Sequence, residues 1–186
     1  LFIGIFLGIA GVKFEVEVDE RAVAIREELP GANCGGCGFA GCDALSEITV
    51  PDSVTELGAA SFYNCRALSK AVIGNGIDKL ESSDSLSVYS GGSEEYGAGM
   101  FEKCTNLTIV ELGEGVTDIQ KDCFANSGLA SINIPDTVTN IDNGAFYECS
   151  KLKNAVIGNG VKDIGKKAFI NCSSLESVTI GNSVRN

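Results

Sequence analysis

Apolar residues recur along residues 45–186 at a spacing of 22 to 23 positions. Each repeat begins at a leucine, and one step, from Leu68 to Leu107, is 16 residues longer than the regular step of 23. A single insertion accounts for that step. Because a repeat of this length cannot bury its apolar side alone, the pattern predicts a solenoid in which successive rungs stack and share one core. The leucines that open the rungs are Leu45, Leu68, Leu107, Leu129, Leu152 and Leu175.

The order of elements within a rung is constant. A short strand such as Ile132-Asn133-Ile134 is followed by a Pro-Asp, Gly-Asn or Gly-Glu turn, and then by a spaced apolar pair such as Val138 and Ile141. The rung closes on a Phe-x-x-Cys helical turn, whose Phe and Cys share one side and point into the core. We expect the strands to pair from rung to rung into a narrow sheet along one face. The closing pairs are Phe62/Cys65, Phe101/Cys104, Phe146/Cys149 and Phe169/Cys172, whereas the third rung has Phe124 followed by Ser127 and its cysteine at Cys123.

The insertion occupies residues 81–99 and is rich in serine, glycine and acidic residues. This composition predicts a loop that bulges from the second rung. Its Tyr89 and Tyr96 are candidate partner contacts, because exposed aromatic side chains are effective anchors. A tolerated surface insertion without a role of its own is the favoured interpretation.

The repeats resemble the BspA-like leucine-rich-repeat family, whose rungs have the form Leu-x-x-Ile-x-Ile-Pro-x-x-Val-x-x-Ile-Gly-x-x-Ala-Phe-x-x-Cys. Residues 129–149 and 152–172 match this form closely. The resemblance implies a right-handed curved solenoid, and it implies a microbial surface protein that adheres to host matrix or to other cells. It supplies no catalytic residues. The repeats therefore indicate a surface for protein or glycan partners, and we expect further rungs to follow Asn186.

The first 44 residues have a different character. Residues 1–12 are apolar and predict part of a transmembrane helix, with the end of a signal peptide or a buried segment of a soluble domain as alternatives. In residues 13–44, a short strand and a helix that ends at Pro30-Gly31 lead into a glycine-rich loop. That loop carries Cys34, Cys37 and Cys42.

The segments Phe-x-Val-Glu-x-Asp-x-Arg at 14–21 and Leu-Pro-Gly-Ala-Asn-Cys-Gly-Gly-Cys-Gly-Phe-Ala-Gly-Cys at 29–42 resemble the B subunit of Rnf-type ion-translocating electron-transport complexes. The resemblance implies a membrane anchor followed by a [4Fe-4S] domain, with Cys34, Cys37 and Cys42 as cluster ligands. The family's fourth ligand would fall at Ala59. Cys65, the next cysteine, fits the Phe-x-x-Cys pattern and is a weak substitute. Three thiolates could hold a [3Fe-4S] cluster or a cube with an open iron, and a flexible loop without a cluster is the alternative.

Composition narrows the choice of function. The chain has no histidine, which removes Ser-His and Cys-His catalysis and His-ligated zinc. Its net charge of −11 argues against a nucleic-acid partner. An interaction protein is therefore favoured over an electron-transfer protein, and no hydrolase motif is present. The two resemblances place the chain differently, at the cell surface or at the cytoplasmic face of a membrane. Either a genuine fusion or a spurious join between two genes accounts for this.

Overall fold

The computed structural model describes residues 45–83 and 98–185. These residues form stacked rungs that contain only short strands and turns, and they confirm the predicted repeat solenoid. The strands are β1 (Glu47–Val50), β2 (Lys70–Ile73), β3 (Lys79–Leu80), β4 (Ser82–Ser83), β5 (Ala98–Gly99), β6 (Ile109–Leu112), β7 (Asp118–Ile119), β8 (Ser131–Ile134), β9 (Asn140–Ile141), β10 (Asn154–Ile157), β11 (Asp163–Ile164) and β12 (Ser177–Ile180).

The first strand of each rung lies on one face, as predicted. These strands form two parallel three-stranded sheets, β1-β2-β6 and β8-β10-β12. Their register advances by one repeat per strand, so that Asn154 lies between Ser131 and Ser177. Equivalent positions of neighbouring rungs are therefore aligned. We call the outward side of these strands the strand face.

The strand face is divided between β6 and β8, where the described strands are not paired. At the end of other strands the N–H of Gly74 or Gly181 donates to the carbonyl of the preceding rung. Pro135 occupies the equivalent position after β8 and has no N–H to donate. The third rung, which leads into β8, is also one residue shorter than the others. The interruption therefore coincides with two irregularities of the sequence.

A second sheet, with strand order β11-β9-β7-β3, runs without interruption on another side of the solenoid. Each of its strands has only two residues. In three of these strands the second residue is fully buried; these residues are Leu80, Ile119 and Ile141. The sequence pattern identifies these positions as the second members of the spaced apolar pairs, but it does not predict that they pair into a sheet.

The Phe-x-x-Cys segments are single turns closed by a hydrogen bond from the N–H of the final residue to the Phe carbonyl. Positive φ occurs on both sides of four of the five Phe residues, as at Asp122 and Asn126 around Phe124 at 54° and 57°. Around Phe101 only Lys103 adopts it. Because residues in this left-handed conformation alternate with residues of negative φ, the backbone N–H groups of a closing turn point toward the next rung. Its backbone carbonyl groups point toward the previous rung. Phe124 N–H thus donates to the Ala145 carbonyl at 2.8 Å, and Asn126 N–H to the Tyr147 carbonyl at 2.7 Å. The turns form a third hydrogen-bonded ladder.

The core lies between these ladders and is continuous along the described stack. The five Phe rings of the closing turns are stacked, with centroids 4.9 to 5.4 Å apart and planes within 8° of parallel. Offset aromatic contacts of this kind add to the stabilisation from burial. The stacked rings are those of Phe62, Phe101, Phe124, Phe146 and Phe169.

The insertion is framed by β4 and β5, which pair antiparallel. Ser82 pairs with Gly99 and Ser83 with Ala98, so the ends of the insertion lie side by side on the second rung. Residues 84–97, with both candidate tyrosines, lie outside the described residues. The predicted helix fragment at 1–12 and the cysteine segment at 13–44 also lie outside them. Within 45–83 and 98–185, no helix has the length and apolar character that a membrane crossing requires.

Candidate binding surface

The strand face presents the residues that alternate with the buried strand positions. In β8 and β10 the first and third residues are exposed while the second and fourth are buried. Two apolar side chains stand among the exposed ones, with Ile109 50% and Val156 44% exposed. The first and third residues of the six strands are Glu47 and Thr49, Lys70 and Val72, Ile109 and Glu111, Ser131 and Asn133, Asn154 and Val156, and Ser177 and Thr179. The face combines amides, hydroxyls and isolated aliphatic groups.

The N-terminal half of the strand face also carries an ion pair. Lys70 Nζ lies 2.8 Å from Glu111 Oε1 on the neighbouring strand. The hydrogen bond to Glu111 raises the pKa of Lys70 above its ordinary value. Because both groups are solvent-exposed, the pair contributes little to stability. Its effect is to place one charge of each sign at a fixed position on the surface.

A shallow groove of about 560 Å³ runs along the C-terminal half of the strand face, where the strands pass into the turns. Asn133, Val156 and Thr179 line it from three successive strands. Asp136 and Asn159 line it from the turns. Its volume is within the range of ligand sites, and its mixture of polar groups with an aliphatic patch suits partner recognition.

Side chains in the turns form a further ladder along this edge. Asp52 Oδ1 accepts a hydrogen bond from Asn75 N–H at 2.7 Å, and Asn75 Oδ1 accepts one from Glu114 N–H at 2.9 Å. Asp136 Oδ1 likewise accepts one from Asn159 N–H at 2.7 Å. Asp and Asn satisfy neighbouring backbone groups in turns, so these bonds fix the rim of the groove. The sequence carries the signal, an Asp or Asn that recurs in every rung except the third, which has Glu114, although the pattern alone indicates only a turn.

The predicted cluster ligands Cys34, Cys37 and Cys42 lie outside the described residues. Cys65 is described and is fully buried at the end of its closing turn. Its thiol therefore lies in the core of the solenoid, which is a poor position for a ligand of an N-terminal cluster. In the stretches 45–83 and 98–185, no three Cys, Asp or Glu side chains come close enough together to hold a metal ion.

The other cysteines of the closing turns have a structural explanation. The thiols of Cys104, Cys149 and Cys172 donate to the carbonyls of Phe62, Phe124 and Phe146 in the preceding rungs, at 3.0 to 3.2 Å. Burial raises the pKa of Cys149 to about 12, so it remains a thiol and retains its hydrogen. These thiols therefore join successive rungs within the core.

Comparison with known proteins agrees with this geometry. The model of the BspA type leucine rich repeat region matches residues 32–90 and 88–186, with six copies of the repeat. The chain belongs to the BspA-type leucine-rich-repeat family. A leucine rich repeat protein from T. pallidum superimposes on 75% of this BspA-type chain with a TM-score of 0.61 and 25% identity, and the match covers 60% of that protein. A leucine rich cell surface protein from Faecalibacterium prausnitzii matches 73% of the chain at a TM-score of 0.59 and 24% identity, over 32% of its own length.

The N-terminal part of this BspA-type chain has different relatives. The B subunit of the Na(+)-translocating ferredoxin:NAD(+) oxidoreductase complex of Acetobacterium woodii is 59% identical over 46 residues, which are 25% of this chain and 14% of that relative. The B subunit of the ion-translocating oxidoreductase complex of Rhodobacter capsulatus is 49% identical over 47 residues, 25% of either protein. The resemblance to the Rnf-type protein is thus confirmed, over a short segment. The chain spans a quarter or less of these two relatives.

Proposed function

We propose that this BspA-type protein is an adhesin or scaffold that binds a protein or glycan partner through the strand face. One observation carries the proposal: the two three-stranded sheets of the strand face present rows of amides, hydroxyls and separated aliphatic groups to solvent. The groove beside Val156 adds a concave element to this row. Solenoids use such extended faces for binding. The fold likeness to a leucine rich cell surface protein supports this role.

The chemistry of the face favours contacts by many weak groups over a single deep pocket. Asn133 and Asn154 each offer a donor and an acceptor. Val156 lies beside Asn133 on the neighbouring strand and two residues after Asn154 on its own, and it is 44% exposed. A partner that covers this patch would desolvate the valine and satisfy both amides. Binding through an aliphatic centre with a polar rim is the usual anatomy of a protein interface. We place the protein at a membrane surface, with residues 1–12 as part of its tether.

The double substitution Asn133→Lys/Val156→Lys tests the strand face. Two long cations at the centre of the patch would be desolvated without partners on binding, and we expect affinity to fall by at least about tenfold. The measurement is biolayer interferometry of the purified chain on immobilised laminin, collagen and mucin. The unsubstituted chain is expected to bind at least one of these probes.

The matched control is Ile170→Lys/Asn171→Lys, which also replaces one exposed aliphatic residue and one asparagine. Ile170 is 41% exposed and lies on the closing-turn side of the solenoid. We expect this control to bind like the unsubstituted chain. An equal loss in both variants would show that added charge, rather than the strand face, determines binding. Absence of binding to all probes would contradict an adhesive role for this part of the protein.

The N-terminal relatives favour a second function, in which Cys34, Cys37 and Cys42 hold an iron–sulfur cluster and the chain transfers electrons in an Rnf-type complex. When bound, the cluster would supply one-electron redox chemistry, and the chain would supply three thiolates on a glycine-rich loop. We expect chain purified without oxygen to carry iron and acid-labile sulfide in about equal amounts. Cys37→Ser is expected to lose both, while Cys172→Ser in the solenoid keeps them. Iron-free protein after reconstitution would exclude this function.

A further inference from the structure

A second groove, of about 410 Å³, lies along the corner where the closing turns pass into the next strand. Asn64, Lys103, Asn126 and Glu148 line it from four successive rungs. All four adopt positive φ, between 56° and 63°. This groove, which we call the corner groove, is separate from the strand face.

The corner groove lies beside the irregular step of the repeat, where the third rung is one residue short. That rung ends at Gly128, where the fourth rung has both Ser150 and Lys151. Lys151, from the longer end of the fourth rung, donates from Nζ to the Thr105 carbonyl two rungs away at 3.2 Å. The concave site and the one short step of the repeat thus coincide, and the sequence signal for it is the 22-residue rung.

Three cations line the corner groove, and contacts hold each of them in place. Arg66 Nε donates to Asn64 Oδ1 at 3.0 Å, and Lys103 Nζ donates to the Tyr63 hydroxyl at 2.6 Å. Lys103 also lies 3.4 Å from Glu102 Oε1, which neutralises part of its charge. Glu148 is the acidic residue of the lining. Three cations against one carboxylate make the groove locally positive, on a chain whose net charge is −11. An anionic ligand would be attracted here and repelled by most of the remaining surface.

The lining also indicates what kind of anion fits. Every lining side chain is polar or charged, so the groove offers no apolar pocket for the anchor residue of a peptide. Its backbone is already paired: Asn64 N–H donates to the Glu102 carbonyl and Lys103 N–H to the Ala125 carbonyl. A peptide could therefore not add as a strand. The amides of Asn64 and Asn126 and the hydroxyl of Ser150 instead match the hydroxyl groups of a sugar.

We propose that the corner groove binds an acidic polysaccharide, with Arg66, Lys103 and Lys151 contacting carboxylate or sulfate groups and the amides and hydroxyls contacting the sugar rings. The cations lie on the first, second and fourth rungs, and parallel strands are spaced about 4.8 Å apart. They therefore form a row along which an extended chain can lie across the rungs. This site is independent of the proposed strand-face function. A negative binding result at one site would not contradict the proposal for the other.

The test is calorimetric titration of the full chain with polygalacturonate, which carries carboxylates, and with heparin, which carries sulfates as well. Neutral dextran and polyglutamate are the comparison polymers. We expect binding of at least one acidic polysaccharide at about 50 mM salt, with weakening as salt is raised. The triple variant Arg66→Gln/Lys103→Gln/Lys151→Gln is expected to lose at least about tenfold in affinity. The affinities for polygalacturonate and heparin, compared with each other, show whether carboxylate or sulfate groups are preferred.

A matched variant, Lys79→Gln/Lys162→Gln/Lys166→Gln, removes the same charge from exposed positions on the side of the second sheet. We expect it to retain affinity within about twofold. Equal losses in the two variants would overturn the proposal in favour of diffuse attraction to the whole surface. Polyglutamate bound as tightly as the polysaccharides would overturn the choice of glycan. No difference from dextran would exclude the site. Thermal unfolding of both variants checks that the surface changes leave the fold intact.

Discussion

Gly115→Ala is expected to lower the free energy of unfolding by about 3 kcal/mol or more, because the added methyl group has no space. A Cβ at residue 115 would lie well inside van der Waals contact of the Asn75 carbonyl and about 3.1 Å from that of Ile77. Both obstacles belong to the backbone of the second rung, which cannot move without separating the stack. Urea denaturation followed by circular dichroism measures the effect.

Gly58→Ala is the matched control. A Cβ there would meet only the Ser61 hydroxyl at an ordinary 3.6 Å. We expect a change within about 0.5 kcal/mol, since the site is an exposed turn away from the rung interface. A similar loss in both variants would mean that glycine is needed for chain flexibility and that contact between rungs is not the cause.

Phe124→Ala is expected to destabilise the protein by about 3 to 5 kcal/mol. The ring is fully buried and lies between those of Phe101 and Phe146, at centroid distances of 5.4 and 5.3 Å. Its removal leaves a cavity in the middle of the stack and ends both ring contacts. Because each rung is stabilised mainly by its neighbours, we also expect the unfolding transition to broaden as the two sides separate.

Phe169→Ala provides the comparison, since that ring is only partly buried and stacks against one described ring, that of Phe146. We expect a cost at least about 1 kcal/mol smaller than for Phe124→Ala. Equal costs, or an unchanged transition width in Phe124→Ala, would contradict the view that the ring stack joins the rungs into one cooperative unit.

Much of the solenoid could be predicted from the sequence, because burial imposes the same apolar spacing on every rung. The repeat spacing of 22 to 23 residues is enough to identify the Leu and the Phe of each rung, the strand face and the single insertion. The second sheet was missed because strands of two residues, such as Asn140–Ile141, are too short to show alternation. The ladder of closing turns was missed because positive φ at residues such as Lys103 and Glu148 has no signature in residue type.

The candidate sites were less predictable. The strand face follows from the strand periodicity, whereas for the grooves the repeat shows only a short rung and a recurring turn residue, neither of which indicates a concave surface. The corner groove lies beside the short third rung, and its cations come from three rungs separated by up to 85 positions, from Arg66 to Lys151. Cys65 was a weak ligand candidate in the sequence. The burial of Cys65 in the core assigns it to the solenoid. That Cys34, Cys37 and Cys42 are cluster ligands stays a prediction.

The central claim is that the solenoid, and not the cysteine segment, carries the function. The most direct measurement compares two variants on whichever immobilised glycoprotein binds the unsubstituted chain. We predict that Asn133→Lys/Val156→Lys lowers the affinity by at least about tenfold, whereas Cys34→Ser/Cys37→Ser/Cys42→Ser leaves it unchanged. The reverse result, with binding lost in the thiol variant and retained in the strand-face variant, would contradict the account.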